Sequence, residues 1–366
     1  MEFVSVMHCA DMHLGKPVSA FDKTKNQNRI LEMEQSCLSV IEQAKGCHVA
    51  LLSGDIFDSS DVPERLCKLV VDKIASMPDV NFFYSCGNHD PYIGKSTDYL
   101  VCNCPDNLHI FGYESIEFVT LEQFKTRVYG ISFSERYTEE SLIEDIGMCD
   151  PEYINIMCIH GEIADKSLYN PLNMKVLEKS GFDYVALGHI HNFDGIKKIN
   201  KMTYAYSGCV EPSGFDECGE KGYIIGNVKK GESNLEFIST CKRKYHSISV
   251  DVSDIKDYVS VINEINKKIN TGDDLWRVNL CGENNIDSFL NFELIKNNVD
   301  AFYLEIQDDT RNSYDIKKVS ENFSLLGLCA KETISLSEKE TDEEKIKLYN
   351  DAFSVLYRLL DKGGER

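Results

Sequence analysis

The chain has 366 residues, of which 42% are hydrophobic, and its formal net charge is -21. That length exceeds the usual size of one hydrophobic core, so we expect one large domain with smaller additions. The acidic balance excludes broad electrostatic attraction to nucleic acid, which Lys and Arg normally provide at the phosphates. No apolar run reaches the roughly 20 residues of a membrane span, and residues 1–4 lack the basic start of a secretory signal. We therefore expect a cytoplasmic protein that does not associate with membranes.

The cysteine pattern points to reduced thiols. Fourteen cysteines occur without any Cys-x-x-Cys pair, which argues against a zinc ribbon or a redox pair. Because they are scattered through apolar runs, we predict mostly buried, reduced side chains. Cys102 and Cys104 are the closest pair, and we interpret them as loop or packing thiols.

Strand-like runs recur along the first 242 residues, with helical periodicity between several of them. The predicted strands cover residues 3–9, 48–53, 80–86, 154–159 and 183–188. A helix is predicted over residues 27–45, and Pro63 opens a second one. This alternation indicates sheets covered by helices.

Beyond Gly188 the pattern changes to short runs at residues 193–199, 202–206, 222–228 and 235–239, which predict consecutive antiparallel strands. From Tyr245 a β-α-β-α-β pattern follows. Its strands are predicted at residues 247–252, 275–280 and 301–306, with helices at 255–265 and 286–297. These elements predict a second, smaller domain.

A last helix is predicted near the end of the sequence. Residues 341–344 read Thr-Asp-Glu-Glu, a capping box, and the helix is expected to end near Gly363. Its apolar stripe has i, i+3, i+4 spacing and consists of Ile346, Tyr349, Phe353, Leu356 and Leu360. The stripe either packs on its own protein, which the spacing alone favours, or docks a partner.

Five predicted strands end in residue types that bind metals. The strand tips are Asp11-Met12-His13, Gly54-Asp55-Ile56-Phe57-Asp58, Gly87-Asn88-His89-Asp90, His160-Gly161 and Gly188-His189-Ile190-His191. A single His or Asp at a strand end is more often a cap or a satisfied core group. Five tips in series are different, because loops after the carboxyl ends of neighbouring strands share one sheet edge. Two divalent ions about 3.5–4 Å apart need this mixture of carboxylate, amide and imidazole ligands. The glycines beside the ligands are expected to permit sharp turns and close approach of phosphate.

The combination D-x-H, G-D-x-x-D, G-N-H-D/E, a later His and G-H-x-H resembles the calcineurin-like metallophosphoesterase superfamily, and it lies within the first 191 residues. The resemblance implies an α/β (α+β) fold. Its core would be a four-layer sandwich of two mixed β-sheets flanked by helices. A smaller α/β cap domain and a C-terminal helix would follow the sandwich.

The resemblance also implies roles for individual residues. One ion would be held by Asp11, His13 and His191, the other by Asn88, His160 and His189, and Asp55 would bridge them. His89 would be catalytic, orienting the phosphate and protonating or stabilising the leaving oxygen, while Asp90 would hold the His89 ring in place. A hydroxide bridging the two metals would be the nucleophile.

Two segments narrow the resemblance to SbcD-type DNA-repair nucleases and their YhaO-like relatives. Residues 8–15 read HCADMHLG, similar to H-x-S/A-D-x-H-L-G, and residues 206–222 resemble a Y-S-G-S…F-D-E…E-K-G segment. The alternative for the second segment is a surface hairpin loop. This resemblance implies a two-metal DNA exonuclease in double-strand-break repair, with single-strand endonuclease activity left open. Manganese is the expected metal, with iron, magnesium or zinc as alternatives. The other function that we consider is a small-substrate or cyclic-nucleotide metallophosphodiesterase.

The resemblance further implies three segments: a nuclease domain at 1–242, a capping domain that contacts DNA at 243–310, and a C-terminal segment at 311–366. The C-terminal helix would bind an SbcC-like coiled-coil ATPase partner, and a homodimer is left open. His8 either supports the site or points into the core. Asp58 is interpreted as supporting a ligand or capping a turn rather than binding metal.

Overall fold

The computed structural model describes residues 3–18, 21, 23–144, 146–284, 292–312 and 314–361. It divides into two compact units, Met1–Lys244 and Tyr245–Arg366. The functional roles predicted for the segments 1–242, 243–310 and 311–366 stay predictions. Among the described residues, no helix is both long and apolar enough to cross a membrane.

The described residues of the first unit form two six-stranded sheets and four α-helices. Its strands are β1 (Val4–Cys9), β2 (Val49–Leu52), β3 (Asn81–Tyr84), β4 (Leu108–Ile110), β5 (Glu117–Leu121), β6 (Thr126–Ile131), β7 (Ile154–His160), β8 (Tyr184–Gly188), β9 (Lys197–Ile199), β10 (Met202–Tyr206), β11 (Gly222–Lys229) and β12 (Glu232–Ser239). Its helices are α1 (Lys23–Glu42), α2 (Glu64–Ala75), α3 (Lys95–Cys102) and α4 (Met174–Ser180). The strand orders are β12-β11-β1-β2-β3-β4 and β5-β6-β7-β8-β10-β9.

The two sheets form the inner layers of a sandwich. On β1, Val4 and Val6 face a core shared with the second sheet, while Met7 and Cys9 face a separate core lined by α1 and α2. This follows from the period-2 alternation of a strand that is buried on both faces. On the other side, Leu177 of α4 packs against the outer face of the second sheet. The predicted four-layer arrangement is therefore confirmed, and both sheets mix parallel and antiparallel pairs.

The predicted run of antiparallel strands after Gly188 is wrong in part. Strand β10 pairs antiparallel with β9 but parallel with β8 in the second sheet, whereas β11 lies antiparallel to β1 in the first. Residues 207–221 therefore cross from one sheet to the other. Short-range patterning identifies a strand, but its partner depends on which edge the folded sheet leaves available.

The second unit begins with a parallel sheet of β13 (Tyr245–Asp251), β14 (Leu275–Cys281) and β16 (Tyr303–Asp308). Two short strands, β15 (Glu283–Asn284) and β17 (Arg311–Asn312), follow β14 and β16 in the chain and pair in parallel with each other. The helices are α5 (Tyr258–Lys268), α6 (Phe292–Lys296), α7 (Ile316–Ser320), α8 (Leu325–Lys339) and α9 (Glu343–Asp361). The predicted helix at 286–297 is seen from Phe292, and residues 285–291 lie outside the described residues.

Helix α9 differs from its prediction at the start. The side chain of Asp342, not Thr341, caps it by accepting a hydrogen bond from the Glu344 amide at 3.0 Å. Gly363, the predicted end, lies outside the described residues. Phe353 is buried against Val319 of α7 and Ala330 of α8, so the centre of the predicted stripe packs on its own unit.

None of the fourteen cysteines, all of which lie among the described residues, forms a disulfide bond. Eight of them are buried, and Cys102 and Cys104 are exposed. The prediction of reduced, mostly buried thiols is confirmed.

Candidate metal centre

Five strands carry the predicted ligands at or just beyond their carboxyl ends. Asp11 and His13 follow β1, Asp55 follows β2, Asn88 follows β3, His160 ends β7, and His189 and His191 follow β8. The Asp11 amide donates to the Gly54 carbonyl at 3.0 Å, and the His189 amide donates to the Asp11 carboxylate at 3.0 Å. The second bond joins a loop of one sheet to a loop of the other. The structure therefore brings the predicted ligands to one end of the sandwich.

The backbone at four of these positions is unusual. Asp11, His13 and Asp55 have φ angles of 50°, 45° and 52°, and His189 has a φ of 105°. Side chains with a Cβ rarely adopt such angles, which cost about 1–3 kcal/mol each and persist only where the surrounding structure imposes them. Strain of this kind is concentrated at functional sites, and here it coincides with predicted ligands.

Two glycines let the loops close around the centre. A Cβ at Gly188 would lie 1.8 Å from the Ser53 carbonyl oxygen, and one at Gly54 would lie 2.4 Å from His160 Nδ1. Gly54 also has a φ of +90°. From the sequence we expect these glycines to let phosphate approach closely. At these two positions they instead make room for protein atoms.

The first predicted ligand set consists of Asp11, His13 and His191. Their potential ligand atoms all lie within 4.8 Å of one another. The Nε2 atoms of His13 and His191 face each other at 3.1 Å. Two imidazoles that point ring nitrogens at one place are arranged as metal ligands commonly are. Nδ1 of His191 is hydrogen-bonded to Glu217 Oε1 at 2.5 Å, which leaves Nε2 directed at the site.

The second predicted set is Asn88, His160 and His189. The Asn88 side-chain oxygen lies 3.0 Å from His160 Nε2 and 3.2 Å from His189 Nδ1. His160 Nδ1 donates to the Ser53 carbonyl at 2.9 Å. This bond places the His160 proton on Nδ1 and keeps Nε2 free to bind metal.

Asp55 lies between the two sets. Its Oδ2 atom is 3.8 Å from His13 Nε2 in the first set and 3.5 Å from His160 Nε2 in the second. The other oxygen, Oδ1, accepts a hydrogen bond from the His89 amide at 2.8 Å, which fixes the orientation of the carboxylate. This is the position that a bridging ligand requires.

The charges of the centre fit divalent cations. Asp11 and Asp55 are each 1% exposed, and within the described part of the chain neither forms an ion pair with Lys or Arg. Burying an ionised carboxylate without a cation costs free energy. Metal ions bound at this centre would supply the missing positive charge. Burial raises the pKa of Asp11, whereas the imidazoles around Asp55, His160 foremost, outweigh burial and lower the pKa of that carboxyl. Burial also lowers the pKa of His189 to about 4, so its ring is neutral at pH 7, as a ligand must be.

His89 lies beside the centre. Its ring contacts the ring of His13 edge-on, with centroids 4.7 Å apart, and its Nδ1 donates to the Asp58 carbonyl at 2.9 Å. The Asp58 carboxylate lies 3.3 Å from His13 Nδ1. The Asp58 carbonyl therefore fixes the His89 ring, while the Asp58 carboxylate lies close to His13 Nδ1, which forms no hydrogen bond within the described part of the chain.

The prediction that Asp90 holds the His89 ring is wrong. The Asp90 carboxylate instead accepts hydrogen bonds from the backbone amides of Asp55, Phe57 and Gly87 at 2.9–3.1 Å. Burial, with the nearby Asp55 charge, raises the pKa of Asp90 to about 6. Asp90 thus shapes the loop that carries Asp55, because a buried carboxylate satisfies its oxygens from the nearest free amides.

The interpretation of His8 is settled in favour of the core. Its ring is fully buried, with Nε2 donating to the Leu187 carbonyl at 3.2 Å and Nδ1 2.8 Å from the Tyr184 hydroxyl. Both ring nitrogens have partners away from the metal ligands.

Glu217 was not identified as a site residue from the sequence. It belongs to the 206–222 segment, whose resemblance to the F-D-E…E-K-G pattern was the available signal. Its function depends on the contact with His191 across 26 positions of the chain, which the sequence does not reveal.

The fold and this donor set together define a metal-dependent phosphoesterase. Residues 4–193 match the family model for calcineurin-like phosphoesterases, and the chain belongs to that family. It is 25% identical to the uncharacterized metallophosphoesterase YhaO of Bacillus subtilis over 275 residues, covering 72% of this chain and 66% of YhaO. It is 23% identical to the DNA double-strand break repair protein Mre11 of Saccharolobus solfataricus over 338 residues, covering 85% of this chain and 84% of that protein.

Proposed function

We propose that this protein is a manganese-dependent DNA phosphodiesterase that degrades DNA ends in double-strand-break repair. The observation that carries the proposal is the convergence of two ligand sets from both sheets, with Asp55 between them. DNA as the substrate is supported by the likeness to Mre11, which covers 85% of the chain. Since the first unit ends at Lys244 of 366 residues, that likeness extends into the second unit.

The ligands would divide between two ions. When bound, the ions would supply Lewis acidity at the phosphate oxygens and lower the pKa of water. Asp55 would contact both ions, and the remaining ligands would hold one each: Asp11, His13 and His191 the first, Asn88, His160 and His189 the second. The oxygen ligands suit manganese, and the imidazoles also admit iron or zinc.

His89 would act on the substrate. Since its Nδ1 donates to a backbone carbonyl, Nε2 is the ring atom left to exchange a proton with the leaving oxygen. The edge contact with His13 keeps the ring beside a predicted ligand without making His89 a ligand itself. Removing the ring should therefore slow cleavage and leave manganese binding intact.

A second function is favoured by the net charge. At -21, the chain offers little general attraction to a phosphate backbone. A small-substrate or cyclic-nucleotide phosphodiesterase would need no such attraction. In the DNA proposal, the second unit and an ATPase partner supply part of the affinity for DNA.

A homodimer and a cytoplasmic location stay predictions.

The partner proposal concerns the helices at the end of the second unit. Phe353 of α9 is buried within its unit, but Leu348 and Leu359 on the same helix are exposed. Leu325 and Leu328 on α8 are exposed as well. Exposed leucines on neighbouring helices are typical of a protein interface, and we propose that they dock a coiled-coil ATPase.

The docking proposal can be tested by co-purification with the cognate ATPase. A double variant, Leu348→Asp with Leu359→Asp, should lose the ATPase, while Lys347→Ala should retain it. A truncated chain lacking the residues after Ser337 that still co-purified with the ATPase would contradict the proposal.

The nuclease proposal is tested with end-labelled linear DNA and manganese, beside a small aryl phosphodiester. The wild type and a His109→Ala control should release label, and His89→Ala should not, although it should still bind manganese. His109 is a suitable control because it lies on β4, outside the candidate centre. Cleavage of the small ester with intact DNA, also after addition of the ATPase, would favour the small-substrate function.

A further inference from the structure

The 206–222 segment connects β10 to β11; it is buried at both ends, whereas Asp216, Gly219 and Glu220 near its middle are exposed. Ser207, Val210, Glu211 and Lys221 are each at most 3% exposed. Because β10 and β11 belong to different sheets, the segment is not a hairpin, and its buried polar side chains need internal partners. Those partners are found around His191.

The segment holds His191 at both its ring and its backbone. Glu217 Oε1 is 2.5 Å from His191 Nδ1. The His191 carbonyl accepts hydrogen bonds from the Lys221 ammonium at 2.9 Å and from the Cys209 amide at 3.0 Å. Lys221 also donates to the side-chain oxygen of Asn192 at 2.5 Å. The ring and the peptide of His191 are thus held by three residues of one loop.

The second oxygen of Glu217 fixes the carboxylate itself. Oε2 accepts from the amide and the hydroxyl of Ser213, at 2.6 and 3.0 Å. The Lys16 ammonium donates to the same hydroxyl at 2.7 Å, and Lys16 lies three positions after His13. The carboxylate cannot rotate away from His191 without breaking these bonds, and the arrangement connects the loops of both first-set histidines.

A buried ion pair anchors the beginning of the loop. The Arg29 guanidinium, 1% exposed, lies 2.7 Å from Glu211 Oε2 and also donates to the Pro212 carbonyl at 3.1 Å. The other Glu211 oxygen accepts from the Lys242 amide at 2.6 Å. The beginning of the loop is therefore anchored to the first unit by buried polar contacts.

We propose that Glu217 is a positioning residue for the first metal, which holds the proton of His191 on Nδ1 and aims Nε2 at the ion. The inference rests on the proposed function, because it takes His191 as a ligand. A carboxylate behind a ligating imidazole orients the ring and makes it a stronger donor. The 206–222 segment then acts as the frame of the metal centre rather than as a contact for DNA.

The experiment is a manganese titration of the full chain, in which electron paramagnetic resonance measures the free ion. The wild type should bind two ions. In Glu217→Gln, one of the two sites should weaken by about 10–100-fold and the other should remain within a few-fold of wild type. Glu220→Gln is the matched control, since its carboxylate lies on the same loop but bonds Ser239 and Lys244. Far-ultraviolet circular dichroism verifies the fold of each variant.

Further outcomes decide the inference. Unchanged affinities in Glu217→Gln would overturn it, as would equal weakening of both sites, which indicates general loosening. If Glu217→Gln does not fold, Glu217→Asp keeps the charge, withdraws the carboxylate from His191 and should weaken the same single site. A wild type that binds two ions but leaves DNA intact, also after addition of the ATPase, would overturn the DNA proposal alone, whereas one that binds no manganese would overturn both.

Discussion

The burial of His8 predicts a specific pH dependence of stability. Its Nε2 donates to the Leu187 carbonyl, which leaves Nδ1 to accept from the Tyr184 hydroxyl, so the ring is held in its neutral form. Burial lowers the pKa of His8 from 6.5 to about 3. The unfolded chain therefore takes up a proton below pH 6.5, while the native state does not until about pH 3. The free energy of unfolding accordingly falls as the pH drops below 6.5.

The size of this effect follows from the two pKa values. Each pH unit between them corresponds to about 1.4 kcal/mol, so this histidine alone should remove about 1.4 kcal/mol between pH 7.5 and pH 5.5. His8→Gln cannot titrate and should lose that component of the pH dependence. At pH 7.5 the variant should be less stable than wild type by about 1–3 kcal/mol, because the buried Leu187 carbonyl and Tyr184 hydroxyl lose their hydrogen bonds to the ring. The difference should narrow at pH 5.5.

The assay is urea unfolding at pH 7.5, 6.5 and 5.5, followed by far-ultraviolet circular dichroism. Trp276 is the single tryptophan and belongs to the second unit, so its fluorescence follows that unit separately. The other histidines are present in both proteins, and their contributions cancel in the comparison. Identical pH slopes for wild type and His8→Gln would refute the reasoning. A folded His8→Gln without phosphodiesterase activity at pH 7.5 would show instead that His8 acts at the site.

Three further predictions concern the centre and its frame. Manganese at 100 times its dissociation constant should stabilise the wild type by about 2.7 kcal/mol for each of the two bound ions, measured as a raised unfolding temperature. Asp55→Asn should lose most of this gain, and an equal gain in both proteins would contradict the bridging position. Arg29→Met should lower the free energy of unfolding in urea by about 3–5 kcal/mol, because it leaves the buried Glu211 carboxylate without its partner. The double variant with Glu211→Gln should recover much of that stability. Additive losses in the double variant would argue against a coupled pair. Gly188→Ala should lower both the unfolding temperature and the manganese affinity, since its Cβ would lie 1.8 Å from a backbone oxygen. The control is Gly147→Ala, whose Cβ would have no neighbour within 4 Å. It should match wild type in thermal unfolding and in metal titration.

The ligand-bearing strands could be predicted because both faces of each are buried. β1, β2, β3, β7 and β8 are mainly apolar runs that are followed by polar residues, and that contrast is local in sequence. The sequence predicts no helix or strand between residues 91 and 153. Strand β4 has only three residues and β5 is partly exposed, while the mostly buried β6 is interrupted by Arg127 and Gly130, so the apolar residues of these strands carry no clear period.

The sequence by itself determined which residue types stand at the strand ends, and thereby the family and the predicted metal chemistry. Only the tertiary structure decided how they are supported: that Asp90 holds the Asp55 loop and that Glu217 holds His191. It also decided that His8 is a core residue. The physical reason is that a strand and its tip are encoded by neighbouring side chains, whereas a hydrogen bond between a ligand and its support joins residues that meet only when both sheets are packed.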